Sequence, residues 1–199
     1  MDKNIEYESI CKEIMGCSKC DLGCDMLDGF NPRVPGKGNL DSKIIFMAEG
    51  PGKTETEKCC PLVPPGLSGK KYEEVLKYLG LTRDKVYTTN SIHCRPPSNR
   101  DPLPWESLKC FDYVKRELAL VNPEIIVTFG RFSANTFLKD FKITRDHGKI
   151  RQSENFNIKI FPLFHPAYVA AYAPKIKREE FKQDVVNLKQ ILKESNILI

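Results

Sequence analysis

The chain carries 199 residues, 41% hydrophobic and 29% charged, with 31 basic against 26 acidic side chains for a net charge of +5. This length and balance predict one domain over residues 1–199 with a single substantial core, and the mild basic excess is compatible with a polyanionic partner or with nothing more than a soluble basic surface. No apolar run approaches the roughly 18 residues a membrane span needs and the first ten residues are too polar for a signal peptide, so the expectation is a soluble cytoplasmic protein with no membrane partner.

The first predicted element is a short helix from Ile5 to Met15, leading into Cys17, Cys20 and Cys24. Gly, Pro and Asn crowd residues 29–39, which read as an extended loop. Lys43 to Met47 is an apolar run ending at Ala48-Glu49-Gly50-Pro51-Gly52, a buried strand opening into a turn. Glycines there, Gly50 among them, let the backbone approach a ligand closely. A long irregular loop through Cys59, Cys60 and Leu62 precedes a helix from Gly69 to Leu79, in which Tyr72, Val75, Leu76 and Leu79 recur at helical spacing and Gly80 supplies the cap. Three more strands follow: Val86 to Thr89 with Asn90 at its end, Glu124 to Phe129, and Ile158 to Phe164 running into His165-Pro166. Helices are expected at Trp105 to Val121, Arg131 to Leu138 and, amphipathic, Arg178 to Leu192. Strands alternating with helices predict an α/β fold, three layers α/β/α around a central, mainly parallel four-stranded sheet.

Eight cysteines without an export signal point to metal binding or free thiols rather than a disulfide framework. Cys17 and Cys20 form a CxxC pair, half of a tetrahedral thiolate set, and Cys94 and Cys110 are the best candidates for the other half. Such a set fits zinc or an iron-sulfur cluster. Polar residues also gather at the strand ends: Glu49 and Glu55, Asn90, and His165. A carboxylate, an amide and an imidazole converging on one sheet edge would make a pocket for a small polar heterocycle. Taken singly, an Asn at a strand end is usually a turn residue and a His-Pro is usually packing. The loop from Asn90 to Arg100 is rich in Arg and Pro, a rigid path that could hold Arg95 and Arg100 toward phosphates.

Four ordered motifs carry a resemblance: Ala48-Glu49-Gly50-Pro51-Gly52, Thr89-Asn90, the Cys94-Arg95-Pro96-Pro97 loop with Asn99-Arg100, and His165-Pro166-Ala167. Together they resemble the family 4 uracil-DNA glycosylases, the iron-sulfur class of the uracil-DNA glycosylase superfamily, over most of the chain. The resemblance implies a monofunctional DNA-repair enzyme of prokaryotic type that flips uracil out of DNA and hydrolyses its N-glycosidic bond, leaving an abasic site. It implies a structural 4Fe-4S cluster on Cys17, Cys20, Cys94 and Cys110, with zinc as the alternative, and a monomer whose partner is uracil-containing DNA. His165 becomes the expected oxyanion donor, Asn90 the reader of uracil, Glu49 or Glu55 the support for water or the cationic sugar, and Asn99 a further site residue. Tyr168 or Val169 stands where such enzymes insert a wedge.

The chain departs from the family pattern at Leu62, which stands where the family has a Phe stacked on uracil, and at Cys59 and Pro64, which replace glycines. Loss of an aromatic stack removes about 1–3 kcal/mol of base binding. Three readings follow: a uracil-DNA glycosylase with a modified pocket, a superfamily member with another base preference, or an iron-sulfur nucleic-acid-binding protein without catalysis. Cys11, Cys24, Cys59 and Cys60 match no expected ligand and read as free thiols.

Overall fold

The structure is a computed structural model describing residues 2–197. Its elements in chain order are α1 (Lys3–Met15), β1 (Lys37–Gly38), β2 (Ile44–Ala48), α2 (Lys53–Lys58), α3 (Leu67–Leu79), β3 (Tyr87–Asn90), α4 (Pro104–Val121), β4 (Ile125–Phe129), α5 (Arg131–Asn135), α6 (Ile143–Asp146), β5 (Arg151–Gln152), β6 (Lys159–Leu163) and α7 (Lys175–Glu194). A five-residue π-helical turn, Tyr168–Tyr172, precedes α7. No helix among the described residues is long and apolar enough to cross a membrane.

One sheet runs through the molecule in the order β1-β3-β2-β4-β6-β5. The four inner strands are mutually parallel, as expected from helical connections between them. The sheet is wider than the four strands predicted, because β1 and β5 add antiparallel edges. Each edge strand has only two residues, too few to leave a periodic signature. Strands β2 and β4 are buried along their whole length, so they read as unbroken apolar runs rather than alternations.

Alternate strand residues feed two cores. Ile44, Phe46, Val127, Phe129 and Phe161 pack with Tyr72, Val75 and Leu76 of α3 and Val185 and Leu188 of α7. On the other face Ile45, Met47, Tyr87 and Ile126 pack with Val114, Leu118 and Val121 of α4. Sheet registers place Ala48 beside Asn90 and Phe129 beside Leu163, so the four parallel strands end together and bring their following loops to one edge.

A helix absent from the sequence reading and a helix read too long are corrected by the structure. The loop after β2 contains α2, whose sequence KTETEK has no apolar period to betray it. Helix α5 stops at Asn135 rather than Leu138.

Candidate active site

A cavity of about 260 Å³ opens at the carboxyl edge of the sheet, lined by Glu49, Gly50, Leu62, Asn99, Arg100 and His165 among others. Its lining includes Ala48, the strand partner of Asn90, though not Asn90 itself. The Asn90 side chain is fully buried, and neither its Nδ2 nor its Oδ1 has a hydrogen-bond partner among the described residues. A buried polar group without a partner costs about 1–3 kcal/mol, and an amide with both ends open is suited to a ligand that completes them.

His165 follows β6 directly. Its Nδ1 accepts the Ala167 N–H at 3.3 Å, which leaves the proton of a neutral ring on Nε2. Burial lowers its pKa to about 4, so the ring is neutral at physiological pH. Gly130, at φ +88°, makes room for it: a Cβ there would stand 3.3 Å from His165 Cβ.

The two carboxylates of the loop after β2 differ sharply. Burial, reinforced by the charge of Asp101 and opposed by Arg131, raises Glu49 to about 7. Glu55 is 8% exposed and is occupied by backbone: Gly52 N–H donates to it at 2.7 Å and Leu62 N–H donates to its other oxygen. Burial raises its pKa too, against the opposing pull of those two donors. Arg83 holds the same stretch from the other side, donating to the carbonyls of Pro61 and Leu62. Leu62 therefore sits rigidly, at φ +49° and 1% exposed, with its side chain in the core.

A second, smaller cavity is lined by Cys17, Cys20, Cys94 and Cys110 with Leu22, Ile92 and Glu106. The N-terminal segment reaches it through Arg33, which donates to the carbonyls of Cys17 and Gly23 and pairs across a β-bridge with Cys94. Four thiols lining one cavity supply the donor chemistry of thiolate ligation, common to iron-sulfur clusters and zinc. Among the described residues, no three Cys, His, Asp or Glu side chains converge on a point where a single metal ion would sit. The Cys110 sulfur accepts the backbone N–H of His93 at 3.2 Å and faces its ring Nδ1 at 3.3 Å. The other ring nitrogen lies 3.2 Å from the buried carboxylate of Glu117. Burial works against a charged imidazole there, but Glu117 and Cys110 outweigh it and raise His93 to about 10.

A family model described as the uracil DNA glycosylase superfamily matches residues 35–189. The chain is 42% identical to the type-4 uracil-DNA glycosylase of Archaeoglobus fulgidus, across 89% of this chain and 88% of that one. It is 37% identical to the type-4 enzyme of Sulfurisphaera tokodaii, across 88% and 82%, and 31% identical to that of Thermotoga maritima, across 94% of each. The chain belongs to the uracil DNA glycosylase superfamily. Its α/β architecture is the one expected of that superfamily.

Several residues expected at the superfamily's DNA-facing surface stand elsewhere. Arg95 is 6% exposed and turned inward, donating to Asn99 Oδ1 and Asp28 at 2.9 Å each, so it does not point at solvent phosphates. Arg100 does line the cavity, but its guanidinium is gripped by Glu106. Val169 is 4% exposed and packs in the core, which removes it as a wedge in this conformation. The turn that buries Val169 and Ala173 turns Tyr168 and Tyr172 outward. Tyr172, 79% exposed, is the apolar candidate that sequence reading passed over; its spacing of four from Tyr168 was the available signal. Glu106, Glu117 and His93 were also missed, and nothing local distinguishes a buried helical Glu from a solvated one.

Proposed function

We propose that this protein is a monofunctional DNA-repair glycosylase that excises uracil from DNA. The observation that carries the proposal is the buried Asn90 amide with both ends open, in strand register with Ala48 of a cavity lined by a neutral His165. Uracil presents O4 as an acceptor and N3–H as a donor, matching Asn90 Nδ2 and Oδ1; cytosine carries an amino group at position 4 and an unprotonated N3, and mismatches both. Hydrolysis breaks the bond between C1′ and N1, water adds to C1′, and the base departs with negative charge spread onto O2. His165 donates its Nε2–H to O2 as that charge develops. A neutral donor suits the task, since it stabilises the anion without first giving up a proton.

Glu49 supports the other half of the reaction, as a carboxylate beside the attacking water or the cationic sugar. Glu55 serves instead to hold the Leu62 segment, since both of its oxygens are taken. The exposed Tyr168 and Tyr172 are the side chains this reading assigns to enter the duplex. Cys17, Cys20, Cys94 and Cys110 would hold a 4Fe-4S cluster, which supplies cross-linking of the N-terminal segment to the loop after β3 and no redox step. The reading is of one domain acting as a monomer on DNA in the cytoplasm.

Leu62 favours a second reading, a changed base preference, because a buried aliphatic side chain offers the base no aromatic face. One assay separates the two. Purified protein is incubated with duplexes carrying U opposite G, U opposite A, hypoxanthine, or no lesion, and abasic sites are then cut with alkali. Strand breaks at uracil, reduced about 10²–10³-fold by His165→Ala, are expected. Breaks at hypoxanthine alone would favour the second reading, and none on any duplex would refute both.

A further inference from the structure

The two cavities share a wall. Ile92 lines both of them. Its backbone N–H donates to Glu49 O at 3.0 Å, and its side chain lies so close to Gly50 that a Cβ there would stand 2.7 Å from Ile92 Cγ1. The rest of the wall is an ion pair. Glu106 faces the cysteine cavity and Arg100 the base cavity, joined by bonds of 2.8 Å and 2.6 Å. Glu106 is 1% exposed and also accepts the Leu103 N–H at 2.7 Å, closing the first turn of α4. Cys110 lies four residues further on, one turn along the same helix face. A bidentate pair between a carboxylate and a guanidinium is directional, so a shift of α4 carries Arg100 with it.

We propose that Glu106 is a positioning residue that transmits the state of the cysteine cavity to the base cavity. What occupies the four cysteines fixes Cys110 and with it the first turn of α4; Glu106 fixes Arg100; and Arg100 with Ile92 sets the mouth of the base cavity. The inference rests on the reading of these cavities as base and cluster sites. Its consequence is that base binding depends on the bound metal group although that group takes no part in bond cleavage.

The chain's single tryptophan, Trp105, precedes Glu106 and reports on this turn. The metal-loaded protein is compared with the same protein stripped by a chelator, loss being followed by visible absorbance and metal analysis. The probe is a duplex with one 2′-fluoro-2′-deoxyuridine, which resists cleavage, alongside an undamaged duplex. Stripping should shift Trp105 emission and weaken binding of the fluorouridine duplex about tenfold, leaving the undamaged duplex unaffected. Metal-loaded Glu106→Gln should show the same tenfold loss, with KM raised and kcat held, and stripping should then add nothing. Arg100→Met keeps Glu106 and all four cysteines and, once its visible absorbance and metal content match the parent's, should reproduce the loss, so a poorly loaded Glu106 variant does not decide the matter. Unchanged binding by both variants, or a stripping effect of equal size in parent and variants, overturns the inference. Uracil excision without this coupling would sink the inference and spare the glycosylase reading; coupling without excision of any base would do the reverse.

Discussion

Thr89 and Asn90 are neighbours at the end of β3, yet the two faces of the sheet treat them in opposite ways. Thr89 faces α4 and donates to Glu117 at 2.7 Å; that carboxylate also accepts from Tyr87 OH at 3.0 Å and Gly36 N–H at 3.1 Å, and faces His93. The Asn90 side chain, on the other face, has no hydrogen-bond partner among the described residues. A saturated buried network stiffens a scaffold, whereas an unsaturated amide is held at a cost that only a ligand recovers. The contrast separates what holds this edge of the sheet together from what acts there. It recurs in the loop after β2: burial raises the pKa of both carboxyls, but backbone donors to Glu55 oppose the shift and no such donor among the described residues opposes it at Glu49.

Breaking the saturated side should have the larger effect. Glu117→Gln leaves His93 buried without its charged partner and should destabilise the fold by about 3–5 kcal/mol, read by thermal or denaturant unfolding. A change under about 1 kcal/mol would mean that the network is not what stiffens this edge. The unsaturated side should respond with the opposite sign. Asn90→Leu removes an amide that has no partner and should raise stability by about 1–3 kcal/mol while abolishing uracil excision. Loss of stability together with activity would place Asn90 among the scaffold residues.

The smallest effect concerns Glu49. Its carboxyl keeps its proton to about pH 7 in the folded protein and to about 4.5 in the ordinary case. Between those values the native state binds the extra proton, so this group's contribution to stability is present below pH 4.5 and fades as pH rises to 7. Activity should run the other way, rising up to tenfold per pH unit below 7 and levelling above it. Glu49→Gln should flatten both slopes; a variant that keeps the rise in activity would assign it to another group.

The strand ends made much of the site legible. Apolar runs ending at Glu49, Asn90 and His165 are local patterns, and in a parallel sheet such ends share an edge whatever the details of packing. Helix α2 and the edge strands escaped because polar or two-residue segments carry no period. The orientation of Arg95 escaped for another reason. Its partner Asp28 lies 67 positions away, and an Arg in a Pro-rich loop looks the same whether it faces phosphate or carboxylate.

By itself, then, the sequence determined the layers, the parallel strands, the set of polar residues at the sheet's edge and the four cysteines that would share a metal group. Tertiary structure alone decided how each polar group is spent: Glu55 on backbone donors, Arg95 on Asp28, Val169 on the core, Asn90 on nothing. The physical reason is that residue type and spacing set which interactions a side chain is able to make, while burial and distant partners set which of them remain open. The Glu117 carboxylate shows the limit well, since its bond to Gly36 spans 81 positions and no local pattern announces it.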